Sequence, residues 1–218
     1  MNSRKAIVIG ATGLTGSRLV DRLLEDQRFA LVKIFVRRST GISHPGLEEH
    51  IIDFDQYHEW KYLVTGDVLF SALGTTLKAA GSKDAQYRVD HTYQYQFARA
   101  AHENHVPVLV LVSSAGANPN SPFFYMRMKG ELERDIRNFD FGHIHILHPG
   151  LLVGERRERR AGEAAGYYVI RFLNRLGLFR GMGPTHADRL AAAMINISFN
   201  ATQRVQTYSV GDIDRFAG

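Results

Sequence analysis

Short apolar, β-branched runs recur along the chain at fairly even intervals: AIVIG (6–10), ALVKIFV (30–36), HIIDF (50–54), DVLFSAL (67–73), VPVLVLVSS (106–114) and HIHILHPG (143–150). Between most of them lie segments with helical apolar spacing, such as LTGSRLVDRLLEDQ (14–27), DAQYRVDHTYQYQFARAAHENH (84–105) and SPFFYMRMKGELERDIRN (121–138). Strands alternating with helices predict an α/β fold, a doubly wound parallel sheet covered on both faces. Local signals mark helix starts: Ser121 as a cap with Pro122 in the first turn, and Ser82 before the long helical segment.

After Gly150 the pattern changes to a basic loop, a helix near 163–175, a Gly-rich turn at 176–184, a helix near 185–199 and a last strand, RVQTYSV (204–210). This reads as one domain, a core of about 1–150 with a substrate-side elaboration of about 151–218. Open α/β sheets place their pockets beyond the carboxyl ends of the strands, where such an elaboration sits.

Composition narrows the chemistry. The 218 residues suit one domain able to bury roughly 70% of its unfolded surface. There are no cysteines, so thiolate catalysis, disulfides and Cys-based zinc sites are excluded, and a cytoplasmic setting is expected. MNSRKAIVIG shows no signal-peptide pattern, and no apolar run reaches the ~20 residues of a membrane span, so no membrane association is expected. The net charge of +5 is concentrated in GERRERR (154–160). Glu155 and Glu158 interrupt that run and no aromatics interleave it, which favours a solvated segment over nucleic-acid contact.

The candidate chemistry begins at Gly10-Ala11-Thr12-Gly13-Leu14-Thr15-Gly16, between the first strand and the first helix. There Gly10 permits a tight turn, Gly13 lets backbone approach a pyrophosphate and Gly16 allows close helix packing; a purely structural turn is the alternative. At the end of the second strand, where an NAD enzyme usually carries an acidic residue, stand Arg37 and Arg38. Two guanidiniums suit a 2′-phosphate, so NADP(H) is the expected cofactor, against the alternative of a solvent-facing basic turn. Asp53 and Phe54, read as the end of the third strand, would lie by the adenine, with ordinary core the alternative for Phe54, while Gly74 and the threonines Thr75 and Thr76 follow the fourth strand and would face a ribose, with Leu73 at the strand end counted among the cofactor-binding residues.

Tyr125 and Lys129 form a Y-x-x-x-K pair on one helix face. A lysine ammonium one turn away favours a tyrosinate and makes Tyr125 a candidate general acid/base. Ser113 and Ser114 end the fifth strand near the same cleft. His143 and His145 alternate on the sixth strand without a third metal-like ligand, so no metal is expected.

These residues, with SALGTTLKAAG, VSSAGAN, FFYMRMKGELE and HPGLLVGERRERR, resemble the short-chain dehydrogenase/reductase superfamily. The likeness is to its atypical NAD(P)H-binding branch, which includes the Tat-interacting tumour-suppressor protein and bacterial epimerase-like relatives. The resemblance implies a Rossmann fold, NADPH held by the glycine turn and Arg37/Arg38, and Tyr125 and Lys129 at the nicotinamide ribose. It also implies that Leu151, Leu152 and an arginine such as Arg160 close over the cofactor. Two departures stand out: the family's R-P-G is here His148-Pro149-Gly150, and the superfamily's commoner third serine is Ala115, which leaves Ser114 as the favoured substrate-facing hydroxyl. The expected function is an NADP-dependent oxidoreductase acting on a small carbonyl or hydroxyl compound, with a non-catalytic NADPH sensor or an epimerase-like enzyme as alternatives and a homodimer left open.

Overall fold

A computed structural model describes residues 3–154 and 184–218. The expected helix near 163–175, most of the Gly-rich turn, Glu155, Arg160 and the rest of the arginine run lie outside them. Seven strands form one sheet: β1 (Arg4–Ile9), β2 (Phe29–Val36), β3 (Leu47–Ile51), β4 (Val68–Ser71), β5 (Val108–Val112), β6 (His143–Leu147) and β9 (Val205–Tyr208). Their order is β3-β2-β1-β4-β5-β6-β9 and every pairing is parallel. β7 (Leu152–Val153) and β8 (Thr185–His186) make a separate parallel pair. The chain winds outward in one direction from β1 and in the other from β4, so a crevice opens between their carboxyl ends.

The runs of consecutive apolar residues follow from burial on both faces. In β1, Ala6 and Val8 enter one core, while Ile7 and Ile9 enter the other. The first core is closed by α1 (Leu14–Glu25) and α7 (Ala187–Ile197) through Leu19, Leu23, Leu190 and Met194, with α8 (Val210–Phe216) adding Ile213. The second is closed by α5 (Tyr93–Glu103) and α6 (Phe124–Ile136), where Phe97 stacks on Trp60 at 4.2 Å and Leu132 and Ile136 fill in below. Short helices α2 (Tyr57–Trp60), α3 (Leu77–Ala80) and α4 (Lys83–Tyr87) complete the crossovers.

Three local expectations are corrected. The third strand ends at Ile51, so Asp53 and Phe54 lie in the following loop, because Phe54 is drawn into the second core against Tyr93 and Phe97. Ser121 does not cap α6: its Oγ accepts from the Phe123 N–H at 3.2 Å in the preceding turn, and Phe123 holds the N-cap position without a side-chain bond. The long helical segment is broken by a π turn at Arg88–Thr92 between α4 and α5, while Ser82 does cap α4 through the Ala85 N–H at 3.1 Å.

His145 is fully buried on β6, with Nδ1 3.0 Å from the Tyr208 hydroxyl and Nε2 without a partner among the described residues. Burial, and then the neighbouring His143, push its pKa down to about 4. A histidine depressed in the fold binds its proton more readily when unfolded, so the stability it influences falls as pH drops from ~6.5 towards that value, by an amount of order 3 kcal/mol. His145→Gln should flatten this acid slope relative to wild type in urea midpoints measured between pH 7 and 4.5; identical slopes would show that His145 is not the group responsible.

Candidate cofactor and catalytic site

The turn after β1 is set by backbone contact. Gly10 adopts φ +81°, and a Cβ there would collide with the Ala72 carbonyl and lie 2.6 Å from the Leu73 N, at the end of β4. A Cβ on Gly16 would collide with the Gly10 carbonyl, so α1 seats directly on the turn. Between them the Gly13 N–H donates to the Gly10 carbonyl at 2.8 Å and Gly13 takes the N-cap position of α1 without any side-chain cap. The first turn of α1 has no acidic residue, and Thr15 Oγ1 is buried without a hydrogen-bond partner among the described residues. A helix start without a side-chain cap, next to a buried hydroxyl left unpartnered among the described residues, suits an anion such as a pyrophosphate.

The remaining expected residues are gathered around that turn unevenly. Leu73 and Gly74 leave β4 beside Gly10, and a Cβ on Gly74 would stand 3.3 Å from Asp90 Oδ1. Leu151 and Leu152 lead to Gly154, whose Cβ position is 3.3 Å from Leu14 Cδ1, so this segment covers the start of α1. Arg37 and Arg38 are exposed just past β2 and form no ion pair with any described residue. Asp53 is occupied locally: its carbonyl accepts from Trp60 Nε1 at 3.0 Å and its carboxylate from the Asp55 N–H at 3.0 Å. Phe54 is core, its ring used by other aromatics.

On α6, Tyr125 is 37% exposed, whereas Lys129 one turn on is buried. Lys129 Nζ lies 3.4 Å from Asp90 Oδ1, and both side chains are almost completely enclosed. Burial works against the ammonium, but Asp90, Tyr125 and Glu133 outweigh it and raise its pKa above the ordinary lysine value. For Asp90 burial prevails and raises the carboxyl, against the pull of Lys129 and of the Thr75 N–H donated at 2.8 Å.

The two serines are distinguished by their partners. Ser113 Oγ donates to Glu133 Oε1, the atom that also takes His148 Nε2 at 2.7 Å, while Arg137 stands 3.6 Å from Oε2. The Ser114 hydroxyl donates to the Ala115 carbonyl beside it at 3.3 Å and has no other side-chain partner among the described residues. Asp90, Glu133 and Gly130 were missed as candidates in the sequence. Glu133 shares a helix face with Tyr125 and Lys129 at steps of four, and a glycine inside a helix calls for a packing reason. At Gly130 a Cβ would overlap the backbone of Asn118 and Pro119, so the loop leaving β5 is pressed onto α6.

A family model described as NAD(P)H-binding matches residues 10–166. The chain belongs to this NAD(P)H-binding family. It is 37% identical over 222 residues to "Protein FMP52, mitochondrial" of Saccharomyces cerevisiae, covering 95% of this chain and 94% of that one. The same-named protein of Candida glabrata is 41% identical over 172 residues, with 78% and 72% covered. Among solved structures, MoeE5 in complex with UDP-glucose and NAD gives a TM-score of 0.70 at 16% identity, covering 94% of this chain and 75% of that chain. Bordetella bronchiseptica WbmH in complex with NAD+ gives 0.72 at 17%, covering 95% and 75%. These structures share the Rossmann-like fold, and the relatives and structures named above show no link with the Tat-interacting protein. The expected cytoplasmic location is overturned by the relatives, which are named mitochondrial proteins.

The close approach at Gly10 is open to test. Gly10→Ala combines left-handed backbone strain with collision against β4 and should cost about 2–5 kcal/mol. Gly41→Ala, also at positive φ but with no atom within 4 Å of the new methyl, should cost only ~1–2 kcal/mol. Equal shifts in the two denaturation midpoints would remove the collision with β4 from the explanation.

Proposed function

We propose that the chain is an NADP(H)-dependent oxidoreductase acting on a small carbonyl or hydroxyl compound. The observation that carries the cofactor preference is Arg37 and Arg38, exposed at the end of β2 and without an ion-pair partner among the described residues. Two exposed guanidinium forks at this strand end suit a 2′-phosphate. The turn from Gly10 to Gly16, including Ala11 and Thr12, would take the pyrophosphate, with Leu73, Gly74, Leu151 and Leu152 around the nucleosides. Asp53 is left with its backbone and carboxylate already engaged, and Phe54 with no free face, so adenine contact from this pair is not proposed.

When bound, NADP(H) supplies or accepts the hydride. Tyr125, the exposed member of its helix face, would hand a proton to the substrate oxygen or remove one. The Lys129 ammonium lies one helical turn from Tyr125, and Asp90 balances part of its charge. Ser113 is committed to Glu133, so Ser114 is the hydroxyl left to hydrogen-bond the substrate oxygen. A second reading, an NADPH-binding regulator without turnover, draws on that charge balance and on Ala115.

At equal concentration NADPH should raise the melting temperature well above NADH, since a ligand at ~100 times its Kd adds about 2.7 kcal/mol. Arg37→Ala/Arg38→Ala should erase the difference; stronger stabilisation by NADH would refute the preference. Tyr125→Phe should abolish carbonyl reduction while leaving NADPH affinity within a few-fold, and undiminished turnover would remove Tyr125 from the chemistry.

A further inference from the structure

We propose that Asp90 is a positioning residue that fixes both the place and the charge of Lys129, so that Lys129 is presented to the cofactor's nicotinamide ribose as a held ammonium. The contact with the ribose rests on the cofactor reading above; the hold of Asp90 on Lys129 does not.

Asp90 sits in the π turn between α4 and α5, where the widened backbone brings three elements to one residue. Its Oδ1 meets Lys129 of α6 at 3.4 Å and its Oδ2 accepts from the Thr75 N–H in the loop after β4 at 2.8 Å. Its own carbonyl accepts from Gln94 Nε2 at 2.7 Å, and Gln94 Oε1 in turn accepts from Ser71 Oγ at 2.7 Å. The carboxylate is therefore pinned from the backbone, from Thr75 and from Lys129, with Gly74 leaving it just enough room. Relaxing away from a changed partner would break one of those bonds.

An ammonium enclosed as Lys129 is needs such a partner, because an unpaired buried charge is strongly destabilising or sheds its proton. Among the described residues, the other titratable groups that act on Lys129 are on its own helix: Tyr125 and Glu133. Glu133 is already shared by Ser113, His148 and Arg137, so Asp90 from the π turn is the carboxylate devoted to Lys129.

Asp90→Asn keeps the shape and a hydrogen-bonding side chain while deleting the charge. It should lower the melting temperature at pH 7, and the gap to wild type should narrow as pH rises from 7 to 10. The direction follows from linkage: without Asp90 the Lys129 pKa falls in the fold below its unfolded value, so stability is lost as pH drops through that interval and recovered as it rises. In the same variant NADPH affinity should weaken at least tenfold between pH 7 and 9 while wild type stays within a few-fold. Asp90→Asn/Lys129→Met should have a melting-temperature gap that does not change with pH. A gap for Asp90→Asn that is the same at pH 7 and pH 10 would overturn the proposal and leave Asp90 only a hydrogen-bonding role. If Asp90→Asn does not fold, recovery of folding in the double variant supports the pair, and failure of both assigns Asp90 to packing instead. If wild type binds neither NADPH nor NADH, the cofactor reading falls, while the pH dependence of the melting gap still decides whether Asp90 holds Lys129.

Discussion

The absence of a side chain at Gly10 governs the carboxyl edge of the sheet. With φ +81° and no Cβ, the turn after β1 lies flat against Ala72 and Leu73 at the end of β4. Any other residue would push the turn off the strand, because the contact is backbone against backbone and neither side can rotate away. The same contact fixes α1 over the crevice, since Gly16 seats the helix on the Gly10 carbonyl. It also fixes the line of the loop through Gly74 and Thr75, whose N–H reaches Asp90. From Asp90 the constraint passes to Lys129 and so to the exposed face of α6. Positions far apart in sequence are thereby tied to one another by a missing methyl group.

The two faces of the sheet are built differently. Beneath α1 and α7 the core carries, besides its apolar residues, the isolated buried polar groups Thr15, Ser17 and His145. On the α5 and α6 side, the apolar packing around Phe97 gives way near the carboxyl edge to Ser71, Asp90, Gln94, Ser113, Lys129 and Glu133, all buried. Such groups destabilise a fold unless each finds a partner, and here the contacts form two sets: Ser71, Gln94, Asp90 and Lys129 across β4, the π turn and α6, and Ser113, Glu133 and His148 across α6 and the ends of β5 and β6. Each set ties its elements together, because a shift of one member would strand another in a low dielectric.

Much of this was legible in the chain. The alternation of apolar strands and helices was visible because parallel strands are buried on both faces, which leaves long apolar runs without polar interruption. The glycine turn was visible because its spacing and its place between strand and helix have a steric cause. The third strand was misplaced by about three residues, since HIIDF is as apolar as a strand while Phe54 is claimed by the core around Trp60. Asp90 was hidden for a different reason: an acidic residue within a helical segment reads as solvent-facing, and only the π turn, which has no sequence signature of its own, rotates it inward. Glu133 was nearer to view, four residues beyond Lys129, but its partners Ser113 and His148 come from separate strands that local spacing does not connect.

The same pairing bears on what the site can do. A lysine that acts on a neighbouring tyrosine through its charge acts less strongly when a carboxylate stands 3.4 Å from it, since the phenol then feels something closer to a dipole than a full charge. The raised pKa of Lys129 therefore does not translate directly into acidity at Tyr125; it measures how firmly the proton is held, not how far its field reaches. For the ribose contact proposed above the balance would be reversed, because hydrogen bonding to a hydroxyl depends on the placement of an N–H more than on net charge, and a carboxylate 3.4 Å away fixes the donor. The buried pair thus suits the placing of a donor better than the ionising of a phenol, which is the role proposed for Lys129 rather than one for its field.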